Sequence, residues 1–174
     1  MSSVLKVLLC CFAILAFVHS ARADDTVKKI GDFMQVIVPV YAFGMAMNED
    51  GWTGVEQFTY SFAATEAVVY GLKFSVQERR PDGSNNLSFP SGHTASAMAG
   101  ASFIHNRYGF KRAIFPYLMT GFTAYSRVDA NRHWWWDTVA GAAISGLISW
   151  SLVDRYNGVR VSANPYGMRF SVGF

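Results

Sequence analysis

Residues 90–109 have the sequence PSGHTASAMAGASFIHNRYG, a run of small residues between a proline-containing turn and a glycine. Either Ser91 or Thr94 can cap a helix, the small residues 95–101 continue it, and Gly109 ends it. Four further apolar segments predict helices on either side. With this stretch they predict an all-α fold, a compact bundle of about five helices. The flanking segments are 33–47, 53–73, 113–125 and 138–153.

The turn Pro90-Ser91-Gly92-His93 places an imidazole beside the start of this helix. Glycine lets the backbone approach a ligand closely, and free N–H groups at a helix N-terminus bind anions. His93 would then stand beside a bound anion as a proton donor. A serine-capped helix with a surface histidine explains the same four residues without any ligand.

A second block contains Ser126-Arg127, His133 and Asp137, with the spacing expected of a catalytic histidine and the carboxylate that orients it. His133 and Asp137 are four residues apart, so on a helix the carboxylate can accept a hydrogen bond from one ring nitrogen. The other nitrogen is then free to attack. Arg127 offers a planar fork suited to two phosphate oxygens. The alternative is a structural histidine–carboxylate pair beside the packing tryptophans 134–136.

A third block places two cations before the turn. Lys73 and Arg80 are seven residues apart, so they would share a face if one continuous helix carried both. Pro81 disfavours helical geometry at Arg80, so the helix is expected to give way to a loop there. A solvated, charged helix end that includes Glu78 and Arg79 is the alternative interpretation.

In chain order the three blocks form the pattern K-x6-R-P, P-S-G-H, S-R-x5-H-x3-D. This pattern resembles the superfamily of type-2 phosphatidic acid phosphatases and vanadium haloperoxidases, which includes bacterial class A acid phosphatases and envelope lipid phosphatases. The motifs cover Lys73 to Asp137 and match at every defined position. The resemblance implies an all-helical core and a phosphatase that uses no metal.

The resemblance also implies a division of roles. His133 would attack phosphorus as the nucleophile, Asp137 would orient its ring, and His93 would protonate the leaving oxygen. No cofactor is implied, although phosphate or vanadate would bind as a ligand or inhibitor. The remaining residues would bind the phosphate oxygens: Lys73, Arg80, Ser91, Gly92 and Arg127.

The first 23 residues have the features of a secretory signal peptide. Lys6 supplies the positive start, residues 7–18 are apolar, and Ala21-Arg22-Ala23 is a small-x-small cleavage site. The apolar run is shorter than the roughly 20 residues of a membrane-spanning helix. Both cysteines lie in this segment, so residues 24–174, the predicted phosphatase domain, contain no thiol.

The charge of the chain excludes some partners. The net charge is +3, but Lys6 and Arg22 belong to the signal, which leaves 13 basic and 12 acidic residues. This balance gives no support for nucleic-acid binding, which requires a concentrated basic face. The 51% apolar and 16% aromatic content is high for a soluble protein. A soluble bundle with a very apolar core and a membrane-associated bundle both remain open.

Two details of the helices are further expectations. Pro116 falls in the predicted first turn of segment 113–125, where proline is tolerated. Asp137 precedes segment 138–153, where an acidic residue favours the helix dipole.

The tail, residues 156–174, has a different pattern of apolar and polar residues from the helices. Residues 159–163 and 168–174 alternate apolar and polar side chains around the turn Asn164–Gly167, which predicts a β-hairpin. A lone hairpin is marginally stable in water, so its apolar face should pack against the bundle, a lipid surface or a partner.

These inferences favour an exported phosphatase of the bacterial envelope, in the inner membrane or periplasm rather than the outer membrane. It would hydrolyse a phosphorylated or pyrophosphorylated lipid, such as lipid A, a polyprenyl diphosphate or a phosphatidyl headgroup, at a membrane surface. The main alternative is a soluble periplasmic acid phosphatase. A vanadate-dependent haloperoxidase and a non-catalytic envelope module are less favoured. The sequence leaves the oligomeric state open.

Overall fold

The computed structural model describes residues 25–156 together with the backbone of two short strands near the C-terminus. The predicted signal, residues 1–23, lies outside the described residues. Within this described part, five helices form an all-α bundle, which confirms the predicted fold class. They are α1 (Asp25–Asp50), α2 (Trp52–Val76), α3 (Gly92–Tyr108), α4 (Phe110–Asp129) and α5 (Trp135–Leu152).

The two strands are β1 (Val159–Asn164) and β2 (Gly167–Val172), and their backbones pair antiparallel with Val159 opposite Val172. The predicted packing of an apolar hairpin face falls on side chains outside the described residues. The same holds for residues 165 and 166 of the predicted turn.

Helix α3 is the centre of the bundle, and all four other helices pack against it. Its small residues make this possible, because neighbouring backbones approach to a distance that a larger side chain would block. At Gly100, an added Cβ would lie 2.9 Å from backbone atoms of Pro39 on α1. The predicted ends of the helix are confirmed, since Ser91 caps its start and Gly109, with φ of 94°, caps its end.

Two boundary predictions were wrong. Helix α4 begins at Phe110, so Pro116 is buried in the helix interior and not in the first turn. Helix α1 begins well before residue 33 and contains Asp32. The sequence interpretation began this segment at residue 33, where the nearly continuous apolar run starts. In the structure, the Asp32 side chain is 39% exposed and lies against Arg127 and His93, so α1 includes it without burying an unpaired carboxylate.

Loops bring the sequence blocks together at one end of the bundle. Helix α2 ends at Val76, and Gln77 adopts a left-handed conformation, so Arg80 lies in the following loop as predicted. This loop is joined to the loop before α5, where Arg132 forms an ion pair with Asp82 (2.8 Å). The backbone N–H of Asp82 also donates to the carbonyl of Asn131 (3.1 Å).

A buried ion pair stabilises the opposite end of the bundle. Arg107 at the end of α3 pairs with Asp50 at the end of α1, and both side chains are almost fully buried. Arg107 also donates to Gln57 (3.0 Å) and to the carbonyl of Asp154 (2.8 Å). Removing one partner of such a pair leaves a buried charge unpaired, so this cluster is a structural element.

We expect Gly141→Ala to destabilise the fold by about 1–3 kcal/mol, because the added methyl group crowds a packed backbone. A Cβ at Gly141 would lie 2.5 Å from the carbonyl oxygen of Ser91, at the start of α3. The matched control is Gly121→Ala on α4, where a Cβ meets no atom within 4 Å. Thermal unfolding in detergent measures both, and equal melting temperatures for the two variants would contradict the close approach.

Candidate active site

The fully buried carboxylate of Asp137 organises the site. Its Oδ2 atom accepts hydrogen bonds from the Ser88 hydroxyl (2.5 Å), the Trp134 backbone N–H (2.9 Å) and His133 Nδ1 (3.3 Å). Its backbone carbonyl accepts from the N–H of Ser91 (2.9 Å). One residue in the first turn of α5 therefore touches His133 and, at Ser88 and Ser91, the polar loop that joins α2 to α3 (residues 77–91).

His133 and Asp137 are in contact as their spacing predicts, although His133 lies just before α5 and not on it. Because the carboxylate is an acceptor, Nδ1 carries the proton and Nε2 keeps its lone pair. Burial lowers the pKa of His133, and the nearby cations Lys73 and Arg80 lower it further. The ring is therefore held neutral, which is the form that can attack.

Asp137 itself remains ionised. Burial works to raise the pKa of this carboxyl, but hydrogen bonds from His133, Ser88 and the Trp134 backbone hold it below its usual range. A fixed negative charge at this position stabilises positive charge that develops on the His133 ring.

Arg127 and His93 meet at a carboxylate that sequence reasoning missed. Asp32 Oδ1 lies 2.6 Å from Arg127 Nη1 and 3.0 Å from His93 Nε2. Arg127 also donates to the carbonyl of Lys28 (2.7 Å) and to the hydroxyl of Ser126 (3.2 Å). The only signal for Asp32 in the sequence is a single acid within an apolar run. Its position indicates that α1 orients the guanidinium.

His93 is neutral near pH 7 in this arrangement. Burial and the charge of Arg127 lower its pKa to about 4, while Asp32 acts in the opposite direction. A proton donor needs a higher pKa than this. A bound dianion beside the ring would raise it, because an opposite charge favours the protonated form.

The Lys73 ammonium group forms its hydrogen bonds with the polar loop. Its Nζ atom donates to the backbone carbonyls of Leu87 (2.9 Å), Ser88 (3.3 Å) and Pro90 (2.6 Å), which uses all three of its N–H groups. Burial, followed by repulsion from Arg80, lowers its pKa to about 8. Lys73 thus shapes the loop directly and contributes its charge to the site at a distance.

The remaining predicted residues lie at the same end of the bundle. Arg80 is half-buried, and its Nε donates to Asn85 Oδ1 (2.9 Å). The Ser91 hydroxyl is buried and accepts from the backbone N–H of Thr94 (3.5 Å), as expected of a helix cap, and it also lies 3.1 Å from the Thr94 hydroxyl. A Cβ at Gly92 would meet Lys73 Cε at an ordinary 3.6 Å, so packing alone does not require glycine there.

Ser88 is a second residue that the sequence did not single out. It is fully buried and donates to Asp137, and its backbone N–H donates to the carbonyl of Glu78 (2.9 Å). No motif distinguishes it from the other serines of the loop. Within the described residues, no three His, Cys, Asp or Glu side chains converge closely enough to hold a metal ion.

The chain is similar to proteins of one family. The PAP2 superfamily model matches residues 55–159. A Lipid A 1-phosphatase of Porphyromonas gingivalis is 42% identical over 149 residues, which cover 73% of this chain but 33% of that protein. A Lipid A 4'-phosphatase of Helicobacter pylori is 27% identical over 169 residues, which cover 84% of this chain and 83% of that protein. No solved structure matches the chain significantly.

We expect inorganic phosphate to raise the pKa of His93 from about 4 toward its ordinary range, because the anion adds negative charge beside the ring. An NMR titration of the histidine rings with and without phosphate measures this change, and His93→Gln identifies the signal. The same titration curve in both conditions would contradict the placement of His93 beside the bound anion.

Proposed function

The chain belongs to the PAP2 superfamily, and we propose that it is an envelope phosphatase that hydrolyses a phosphorylated lipid through a phosphohistidine intermediate. The observation that carries this proposal is the buried His133–Asp137 pair, at 3.3 Å, in the field of the Lys73 and Arg80 cations. A neutral, oriented imidazole beside cations has what phosphoryl transfer requires: a nucleophile and charge stabilisation.

The first half-reaction uses the free nitrogen of His133. The bond from Nε2 to phosphorus forms while the bond from phosphorus to the leaving oxygen breaks. His93, protonated in the presence of the dianion, gives that oxygen its proton. Arg127 and Arg80 stabilise the charge on the equatorial phosphate oxygens, and Asp137 balances the positive charge on the ring of His133.

The second half-reaction restores the protein. Water attacks phosphorus, its proton passes to the now neutral His93, and the bond from phosphorus to nitrogen breaks. Inorganic phosphate leaves, and His133 is again neutral. The cations take the part that Mg²⁺ plays in other phosphoryl-transfer sites, so we propose that the reaction needs no metal.

The outer surface of the bundle supports a lipid substrate. Large apolar side chains are exposed along α1, α2, α4 and α5, and apolar surface of this kind is suited to contact with a membrane. Trp135, beside the site, is 63% exposed, and tryptophan is typical of the water–lipid boundary. Among the described helices, residues Thr26–Asp50 of α1 alone are long and apolar enough to cross a membrane, although a buried core helix or a signal sequence meets the same criteria.

The two relatives favour one class of lipid. Both are named as lipid A phosphatases, although the chain matches only about a third of the first. We therefore propose a phosphorylated lipid A-type headgroup as the substrate, and the inner membrane or its periplasmic surface as the location.

We expect His133→Ala to lower phosphate release from a long-chain lipid phosphate in detergent by at least about a thousandfold, since removal of a nucleophile costs orders of magnitude. The matched control is His105→Ala, because His105 bonds Tyr117 between α3 and α4 and touches no site residue. The control should retain most of the activity.

A water-soluble phosphate monoester is measured beside the lipid. Turnover that depends on His133 and strongly favours the lipid supports the proposal. Equal or faster turnover of the soluble ester would identify a soluble-type acid phosphatase instead. Activity of His133→Ala above about a tenth of the wild-type value would remove His133 as the nucleophile.

A further inference from the structure

Two buried carboxyl oxygens at the site lack a partner when both groups are treated as ionised. Asp137 Oδ2 is fully used by three donors, but the Oδ1 atom of the same carboxylate accepts no hydrogen bond. The Oε2 atom of Glu78 is buried and lacks a donor in the same way. A buried acceptor without a donor costs about 1–3 kcal/mol, so two together call for an explanation.

Glu78 is held beside Asp137 by contacts on both of its ends. Its Oε1 atom accepts from the indole N–H of Trp136 (3.0 Å), and its backbone carbonyl accepts from the N–H of Ser88 (2.9 Å). The carboxyl groups of Glu78 and Asp137 affect each other's pKa through a side-chain hydrogen bond, and each has one buried oxygen without a donor. The two orphaned oxygens therefore belong to neighbouring groups.

One proton satisfies both oxygens. Two carboxylates in contact repel, and one of them takes up a proton that the pair then shares as a hydrogen bond. Burial and the neighbouring Asp137 raise the pKa of Glu78, whereas the donors around Asp137 hold the pKa of that carboxyl low. Of the two groups, Glu78 is therefore the one that favours the protonated form.

We propose that Glu78 is a protonated positioning residue that donates a hydrogen bond to Asp137 Oδ1. With donors on both oxygens, the Asp137 carboxylate cannot rotate, and Oδ2 stays directed at His133 Nδ1. Glu78 touches neither substrate nor the reacting atoms in this arrangement. Its effect on turnover rests on the proposed function, whereas its protonation does not.

The sign of the pH effect follows from the groups around the pair. Asp137 on α5 faces Glu78 and favours its protonated form. His133 donates to Asp137, and the positive charges of Lys73 and Arg80 attract its negative charge, so these groups keep that carboxylate ionised. As the pH rises through the raised pKa of Glu78, the shared proton is lost, the carboxylates repel, and kcat should fall.

Three variants test this role in turnover. Glu78→Gln keeps a donor for Asp137 and an acceptor for Trp136, so it should retain at least about half of the wild-type kcat and lose the part of the alkaline decline due to Glu78. Glu78→Ala removes the donor and should lower kcat about tenfold or more with little change in KM. The control is Glu56→Ala, because Glu56 is exposed and bonds only Tyr60 on its own helix.

Either of two kinetic results would overturn the proposal: an alanine variant as fast as the wild type, or a glutamine variant as slow as the alanine variant. If the alanine variant does not fold, the glutamine variant is compared with the wild type alone. An unchanged decline of kcat at alkaline pH in the glutamine variant then overturns the proposal.

Infrared spectroscopy tests the protonation without turnover. The wild-type protein at neutral pH should show the carbonyl stretch of a protonated carboxylic acid, and this band should be missing in Glu78→Gln but present in Glu56→Ala. A wild-type spectrum without such a band would refute the protonated Glu78 even in an active enzyme. A band that is present in a protein without phosphatase activity would leave Glu78 as proposed and refute the function instead.

Discussion

The buried carboxylate of Asp137 is the constraint on which the rest of the site depends. An ionised group without contact with water is costly unless charges and hydrogen bonds compensate it. Here the compensation comes from three different parts of the chain: the start of α5, the loop after α2, and His133. Each donor that stabilises Asp137 also places a part of the site. The same hydrogen bonds therefore stabilise the fold and orient the His133 ring.

The cations present the opposite problem. Like charges lie near one another at the site, since Arg80 repels Lys73 and Arg127 repels Arg80. This repulsion costs free energy until negative charge balances it. Backbone carbonyls around Lys73 and the carboxylate of Asp32 beside Arg127 balance part of it. A phosphate group would supply more. Because these groups are fixed before the anion arrives, little reorganisation is required during the reaction.

Periodicity and motif spacing predicted the bundle, a cap at Ser91 or Thr94, the stop at Gly109 and the contact between His133 and Asp137. These features are local, so residue types at short spacing are enough to predict them. Asp32, Ser88 and Glu78 could not be predicted as parts of the site, because each meets it through a contact that depends on how α1 and the loops pack. The interior position of Pro116 was missed for a related reason. A helix can tolerate a proline when tertiary packing holds it, and sequence propensity does not report packing.

The polar loop is a second feature that could be predicted only in part from the sequence. Pro81 predicts that the helix gives way to a loop at Arg80, yet Lys73 holds this loop through three main-chain carbonyls, which no side-chain pattern can reveal. Main-chain acceptors are present at every residue, so only the fold decides which of them a buried ammonium meets.

The most direct test of the account is to trap the covalent intermediate. Wild-type protein mixed with a long-chain lipid phosphate and quenched in alkali should carry phosphate on one peptide, with the modification at His133 by mass spectrometry. The label should be stable to alkali and lost in acid, as expected for a phosphorus–nitrogen bond. Phosphate on another residue, or rapid turnover with no labelled histidine under any quench, would contradict the central role of His133 and Asp137.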